Sequence, residues 1–362
     1  MDKLQKARLQ INEIDSKMAQ LFQKRMEATR LVAEHKQEYG IPIFDAAREA
    51  QIIEKNMAKI ADDEIRSYYV NFLKSTIKLS RQYQHKLISG MKVAYSGVEG
   101  AFAHIASNKI FPDGHKVPYS DFDSAYNAVV NGECDCAVLP IENSYAGEVG
   151  QVLDLMYSGS LYINGVYDLS VSQNLIGVFG AKLSDVREVI SHQQALLQCQ
   201  DFIKEHGLEQ LQATNTAVAA QKVAQMNDKS VAAIASKETA QLYGLDVLEK
   251  DINKSNFNTT RFAVFSRSEN TDKASDNNFL LLFTVSHIAG ALAKAINVIG
   301  EHGFNMKVLR SRPVKDSNWE YYFYVEAEGN INDANGQNML LKLKKYCDKL
   351  KVVGNYSAQI TL

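Results

Sequence analysis

Cysteine is scarce: Cys134, Cys136, Cys199 and Cys347 are the four in 362 residues, too few and too scattered for a disulfide framework. Cys134-Asp135-Cys136 could supply half of a metal site, but a second pair at ligand spacing is missing. The thiols are therefore read as reduced and structural. There is also no basic block, and the formal net charge is -2, so the chain lacks the electrostatic footprint of a nucleic-acid binder. No apolar run reaches the length of a membrane span. Met1 to Gln10 are charged and helical rather than an n-region before an apolar stretch. The expectation is a cytoplasmic protein that meets neither nucleic acid nor membrane. G-x-G-x-x-G and G-x-x-x-x-G-K-[ST] are both absent, which removes nucleotide sites of those types, and no cofactor or metal is expected.

What remains is an ordinary globular composition, 46% hydrophobic and 23% charged, in a chain long enough for two or three domains. From Leu4, positions 4, 8, 11, 15, 18, 22, 25, 29, 32 and 36 share one face of a long helix. Leu4, Ile11, Met18, Phe22 and Val32 make that face apolar, but Arg8, Asp15, Arg25, Thr29 and Lys36 interrupt it. One polar seam residue can set register in a coiled coil; three cations point instead to an anionic ligand, because buried charge is costly unless paired. Arg25 and Lys36 lie roughly 16 Å apart along the helix and Arg8 about 40 Å from Lys36. Arg8 can join the same site only from a partner chain, as in an intertwined antiparallel dimer. Tyr39-Gly40-Ile41-Pro42 ends the helix. A second helix from about Asp45 aligns Asp45, Arg48, Glu49 and Ile52, and a third from Ile65 to Leu87 aligns Tyr69, Phe72, Thr76, Ser80 and Gln84.

With Arg8 in its R-L-x-I-x-x-I-D context, Arg25, Lys36, the Pro42-x-x-Asp45-x-x-Arg48-Glu49 run, and Ser80 with Gln84, residues 4 to 88 resemble the all-helical class of chorismate mutase. That resemblance implies that Arg8 of a partner, Arg25 and Arg48 hold the two carboxylates of chorismate. Lys36 and Gln84 would bond the ether oxygen, while Asp45, Glu49 and Ser80 orient the ring hydroxyl and neighbouring side chains.

From Lys92 the pattern changes to short apolar strands followed by helices, at 92–95, 136–139, 188–190 and 232–235. The turns after them are polar: Ser96 to Gly100, Pro140 to Ser144, Ser191 to Gln194, Thr214 to Thr216, and Ser236. Singly, such residues are helix caps, and a lone histidine such as His192 is structural. Five clusters in one α/β series point to a shared cleft at the strand ends.

Gly97-x-x-Gly100-x-x-x-His104, Pro140-Ile141-Glu142-Asn143-Ser144, Ser191-His192-x-Gln194 with Gln198-Cys199, Leu242-Tyr243-Gly244-Leu245, and Asn258-x-Thr260-Arg261-Phe262 make residues 92 to 266 resemble prephenate dehydratase. Gln193 stands where that family usually has proline, and Tyr145 where a small or polar residue is expected. The resemblance implies that Thr260 donates a hydrogen bond to the leaving ring hydroxyl and that Arg261 holds a carboxylate. Asn143, Ser144, Ser191 and Gln198 would position the substrate, with Glu142 as a relay acid or a loop anchor. Two lobes are expected, about 92–170 and 171–253, with the chain returning to the first through Thr-Thr-Arg-Phe.

Ser266 to Asn278 lacks large apolar residues and reads as a linker. Beyond it, a strand, helix, strand, strand (from Trp319), helix and strand make a ferredoxin-like βαββαβ order. Gly290-Ala291-Leu292 and Ser311-Arg312-Pro313 give this part a resemblance to phenylalanine-sensing ACT domains, although Arg310 stands where glutamate is usual. The resemblance implies an amino-acid effector held by those two motifs. The expected fold is thus an all-α domain at 1–90, a two-lobed α/β domain at 91–268 and an ACT-like domain at 277–362. The expected function is a homo-oligomeric enzyme converting chorismate to prephenate and then to phenylpyruvate, restrained by phenylalanine. The rival reading is a non-enzymatic metabolite sensor, for which the cations of the first helix have no purpose.

Overall fold

The computed structural model describes residues 2–253, 258–269, 277–315, 320–357 and 360–362. Residues 254–257 just before the Asn258-x-Thr260-Arg261-Phe262 motif, residues 270–276 of the expected linker, and Trp319 lie outside them. The backbone separates into two compact units, Met1–Lys92 and Val93–Leu362.

The first unit is three helices. α1 (Lys3–Glu38) opens on Asp2, whose carboxylate accepts the Gln5 N–H, and stops before Gly40, which turns the chain at φ +65°. α2 (Ala46–Met57) is capped by Asp45 through the Arg48 N–H, and α3 (Asp63–Ser89) by Asp62. α3 buries Leu73, Thr76, Ile77, Ser80 and Gln84, whereas the buried residues of α1 are Thr29 and Ala33. A 36-residue helix is about 54 Å long, more than α2 and α3 cover. Leu4, Ile11, Ile14, Met18, Leu21, Phe22 and Val32 consequently stand exposed along it.

The second unit begins with a lobe of β1 (Lys92–Ser96), α4 (Phe102–Ile110), β2 (His115–Tyr119), α5 (Phe122–Asn131), β3 (Cys136–Asn143), β4 (Gly147–Glu148), α6 (Gly150–Ser158) and β5 (Tyr162–Ser170). A second lobe follows: β6 (Asn174–Gly177), β7 (Glu188–Ser191), α7 (Gln193–Gln198), α8 (Gln200–Glu205), β8 (Glu209–Gln212), α9 (Thr216–Met226), β9 (Val231–Ala235), α10 (Lys237–Tyr243) and β10 (Asp246–Glu249). Its sheet runs β10-β6-β9-β7-β8. β9 is an unbroken buried run, Val-Ala-Ala-Ile-Ala, as a strand covered on both faces must be. The chain then returns through β11 (Thr259–Ser266), which inserts antiparallel between β3 and β5.

The remaining elements are β12 (Asn278–Thr284), α11 (Ala291–Glu301), β13 (Asn305–Pro313), β14 (Tyr321–Glu328), α12 (Ala334–Leu343), β15 (Lys349–Tyr356) and β16 (Ile360–Thr361). From β12 to β15 the order is βαββαβ and the sheet runs β13-β14-β12-β15, while β16 pairs with β5. Alternation sends Phe279, Leu281 and Phe283 of β12 to one face, against Val298, Met339 and Leu343 of the two helices. Leu280 and Leu282 go to the other face and, with Tyr322, Tyr324, Val353 and Tyr356, join the core of the first lobe around Leu139, Leu153, Ile163 and Phe265. β15 meets β5 at Gly354 and Ile163, extending one 11-stranded sheet through both. The contact requires glycine, because a Cβ on Gly354 would come within about 2.1 Å of the Ile163 carbonyl oxygen. The ferredoxin-like part therefore shares a core with the first lobe.

Candidate active sites

In the helical unit, α3 presents Thr76, Ser80 and Gln84 at four-residue intervals on its buried side. Arg25 of α1 donates to Ser80 Oγ and to the Thr76 carbonyl at 3.4 Å. Burial lowers its guanidinium pKa from the ordinary value. Gln84 is 8% exposed, and its Oε1 is buried without a hydrogen-bond partner among the described residues. Lys36 Nζ donates to the Ile43 carbonyl at 2.6 Å. Glu49 pairs with Arg81 at 3.3 Å, and Asp45 spends one carboxylate oxygen capping α2. Arg8 and Arg48 are exposed. Arg8 lies 17 positions from Arg25, about 25 Å along α1, so a single copy does not bring it to Arg25, Ser80 and Gln84.

In the second unit a cleft of about 660 Å³ opens between the two lobes. Its wall is made by the polar turns: Ser96 and Gly97 after β1, Asn143 at the end of β3, His192 and Gln194 beside α7, and Thr214 to Thr216 before α9. Asn258, Thr260 and Phe262 come from the segment that begins β11. The first turns of α4 (Ala101, Phe102, Ala103) and α6 (Val149, Gly150, Gln151) also line it, and neither helix has a side-chain cap. Free N–H groups and the positive ends of helix dipoles thus converge on one space. Among the described residues the lining holds no Arg or Lys.

One hydrogen-bond chain crosses the cleft floor, and its direction is fixed. Asn143 Oδ1 accepts the N–H groups of Tyr145 and Ala146 at 3.0 and 2.9 Å. Backbone N–H groups only donate, so the Asn143 amide N must point the other way. It donates to Thr260 Oγ1 at 2.9 Å and to Asn258 Oδ1 at 2.8 Å. Asn258 Nδ2 in turn donates to Gln198 Oε1 at 2.9 Å. Thr260 Oγ therefore accepts a hydrogen bond from Asn143 and keeps its own O–H to donate.

Arg261 is not in this cleft. Successive residues of a strand face opposite sides, so with Thr260 in the cleft Arg261 must leave by the other face, as must its register partner Glu142 beside Asn143. There the Arg261 guanidinium forks onto Glu326 of β14 at 2.8 and 2.7 Å, with Glu142 at 3.5 Å. Glu326 is fully buried and also accepts from Tyr356 O–H at 2.6 Å. Burial alone would lower the Arg261 pKa and raise that of Glu326, but their pairing outweighs it and drives each the opposite way. Glu142 is further held by Arg310. The structure thus places Arg261, expected at a substrate carboxylate, on Glu326, and Glu142, expected as a relay acid or a loop anchor, between Arg261 and Arg310.

Ser144 and Ser191 also serve the backbone: Ser144 Oγ accepts the Thr259 N–H at 2.9 Å, and the fully buried Ser191 Oγ donates to the Ile234 carbonyl at 2.6 Å. Gln173, Asn258 and Glu148 line the cleft without having been singled out as site residues. Asn258 could have been found, because it shares a strand face with Thr260 by the period of two. Nothing local marks Gln173 or Glu148.

In the ferredoxin-like part, Gly290 is the left-handed cap of α11, and Leu292 lines a cavity of about 740 Å³ with Tyr157, Ile288, Phe323 and Lys349. Ser311, Arg312 and Pro313 lie on β13, which β14 separates from β12. Pro313 lines a different cavity, with Asp154, Lys315 and Tyr322. Arg312 faces Glu148 and Asp154 instead.

Comparison with known proteins matches residues 93–270 to the family model for prephenate dehydratase and residues 7–85 to that for chorismate mutase type II. The bifunctional chorismate mutase/prephenate dehydratase of Buchnera aphidicola subsp. Acyrthosiphon pisum is 30% identical, across 97% of this chain and 95% of its own. This chain belongs to the bifunctional chorismate mutase/prephenate dehydratase family. It is an enzyme with a chorismate mutase domain and a prephenate dehydratase domain, and the matches give no support to the sensor reading. Arogenate dehydratase/prephenate dehydratase 2 of Arabidopsis thaliana is 34% identical over 76% of this chain and 74% of its own. A solved prephenate dehydratase from Arthrobacter aurescens, in complex with L-Phe, is 26% identical, with a TM-score of 0.68 over 74% of this chain and 90% of that one.

Proposed function

We propose that the cleft between the lobes dehydrates and decarboxylates the prephenate that the helical unit makes from chorismate, with Thr260 as hydrogen-bond donor to the departing hydroxyl. The observation that carries this is the Asn143 to Thr260 hydrogen bond, which occupies the Thr260 oxygen and leaves its O–H free in the cleft. Prephenate is a dianion, and the described lining offers it no cation. Its carboxylates are held by N–H groups at the starts of α4 and α6 and by Gln198 Nε2, turned to the cleft because Gln198 Oε1 faces Asn258. Fixed dipoles without a strong ion pair suit a substrate that must release one carboxylate as carbon dioxide. A threonine does not give up its proton unaided, so a second group must resupply it. His192 suits that role: it lines the cleft and its Nδ1 accepts the Gln194 N–H, which places the proton of the neutral ring on Nε2.

For the mutase, Arg25 and Arg48 with Arg8 of a second copy hold the chorismate carboxylates, and Lys36 and Gln84 stabilise charge on the breaking C–O bond. A pericyclic step needs only this restraint and charge stabilisation. The exposed apolar face of α1 supports the second copy. The ferredoxin-like part is read as an ACT-like regulator that takes phenylalanine in the cavity beside Leu292, completed by another copy.

Turnover of chorismate by the purified chain, with and without phenylalanine, tests all three assignments. Prephenate should appear, then phenylpyruvate, and phenylalanine should suppress the second product. Absence of both products would remove the mutase assignment, failure to consume added prephenate the dehydratase assignment, and indifference to phenylalanine the regulatory one.

A further inference from the structure

α6 borders the dehydratase cleft with its first turn, yet most of what fixes its polar ends comes from the ferredoxin-like part. Arg312 of β13 donates to Glu148 Oε1, just before the helix, at 2.5 Å and to Asp154, in its middle, at 3.1 and 3.4 Å. Tyr322 O–H adds a bond to Asp154 Oδ1 at 2.8 Å, and Lys315 Nζ lies 3.0 Å from the other carboxylate oxygen. Tyr157 stacks on Tyr322 with ring centroids 4.4 Å apart. At its end, Lys351 of β15 donates to the carbonyls of Met156 at 2.6 Å and Gly159 at 2.5 Å, the favoured place for a cation on a helix dipole. The Arg312 guanidinium also lies directly on Gly150, where a Cβ would sit about 2.5 Å from both of its terminal nitrogens.

We propose that Arg312 is a positioning residue for the dehydratase: by holding Glu148, Asp154 and the Gly150 backbone together, it sets where the first turn of α6 meets the substrate. The inference rests on the reading of the cleft as the prephenate site, and it differs from the effector-binding role implied for Arg312 by resemblance. The physical logic is that α6 presents uncapped N–H groups to a substrate anion. Such donors act only at hydrogen-bond distance and alignment. A shift of the helix by a fraction of an ångström weakens ground state and transition state together, so the loss belongs in KM more than in kcat.

The test compares full-length wild type with Arg312→Ala, Arg312→Lys, Gly150→Ala and the Arg312→Ala/Gly150→Ala double variant. Prephenate dehydration is measured, with the circular dichroism spectrum and urea midpoint of each sample as the folding control, because the helical unit is a separate compact unit. A wild type that does not consume prephenate refutes the reading of the cleft itself. If it does consume prephenate, Arg312→Ala should raise KM about tenfold with kcat changed less than about threefold, and Arg312→Lys should fall between. Gly150→Ala keeps every charge but pushes the guanidinium off its seat, so it should raise KM as well. In the double variant the added methyl meets no guanidinium, and KM should be no worse than for Arg312→Ala alone. A wild-type KM in Arg312→Ala, or effects of the two substitutions that multiply, would overturn the proposal. If Arg312→Ala fails to fold, Gly150→Ala and Arg312→Lys decide it by the same criterion.

Discussion

Replacing Arg261 by methionine separates two accounts of this residue that agree on loss of activity and disagree on its cause. The guanidinium is bonded twice to a fully buried carboxylate, Glu326, and is 14% exposed itself. Removing one member of a buried ion pair strands the other, at a cost of about 3–5 kcal/mol. Glu326 retains Tyr356 as a donor, with Lys307 at 3.9 Å, which argues for the lower end of that range. Replacing both members by apolar residues of similar bulk is often close to neutral. Here Arg261→Met/Glu326→Leu also leaves Tyr356 without its acceptor, a penalty of about 1–3 kcal/mol. The double variant should therefore be more stable than Arg261→Met and keep a dehydratase KM within about twofold of wild type. Urea unfolding followed by circular dichroism and steady-state kinetics with prephenate make the comparison. If the double variant regains stability but its KM stays about tenfold or more above wild type, Arg261 binds substrate and its placement on the far face of β11 is refuted.

Lys36→Ala should lower mutase turnover by at least about a hundredfold while added prephenate is still dehydrated, because its ammonium has no role in the second unit; loss of both activities would contradict two separate sites. Acid should destabilise the second unit. Burial would raise the pKa of Glu326 and Asp154, yet pairing with Arg261 and with Arg312, Lys315 and Tyr322 holds both below the ordinary carboxylate range. Groups depressed on folding contribute stability above their unfolded pKa, roughly 4, and lose it as pH falls through the folded value. The urea midpoint should thus drop on going from pH 6 to about pH 3, and Glu326→Gln should flatten that dependence. Leu21→Glu on the exposed face of α1 should leave the three-helix unit folded but reduce the sedimenting mass and mutase activity together.

The helical unit could be read from sequence because its signals are local: three-and-four spacing, a Gly-Pro break, and Asp before each helix. The two lobes were readable for the same reason, as strands ending in polar caps. What escaped was the direction of side chains at strand positions. Thr260 and Arg261 are neighbours in sequence and so cannot share a face, a constraint the motif alone conceals. The joining of β15 to β5, and with it the burial of Glu326 against Arg261, depends on a pairing between residues 163 and 354 that no local pattern announces. Arg310 and Arg312 look like a motif of an independent regulator, yet their partners, Glu142, Glu148 and Asp154, belong to the dehydratase lobe.

The most direct test of the central claim is the product ratio from chorismate in Thr260→Ala. This hydroxyl has one task, donation to the leaving group in the second reaction, worth a factor of about 10²–10⁴. Prephenate should accumulate at the wild-type rate while phenylpyruvate formation falls by that factor, with partial recovery in Thr260→Ser. Undiminished phenylpyruvate formation, or equal loss of both products in a folded protein, would contradict it.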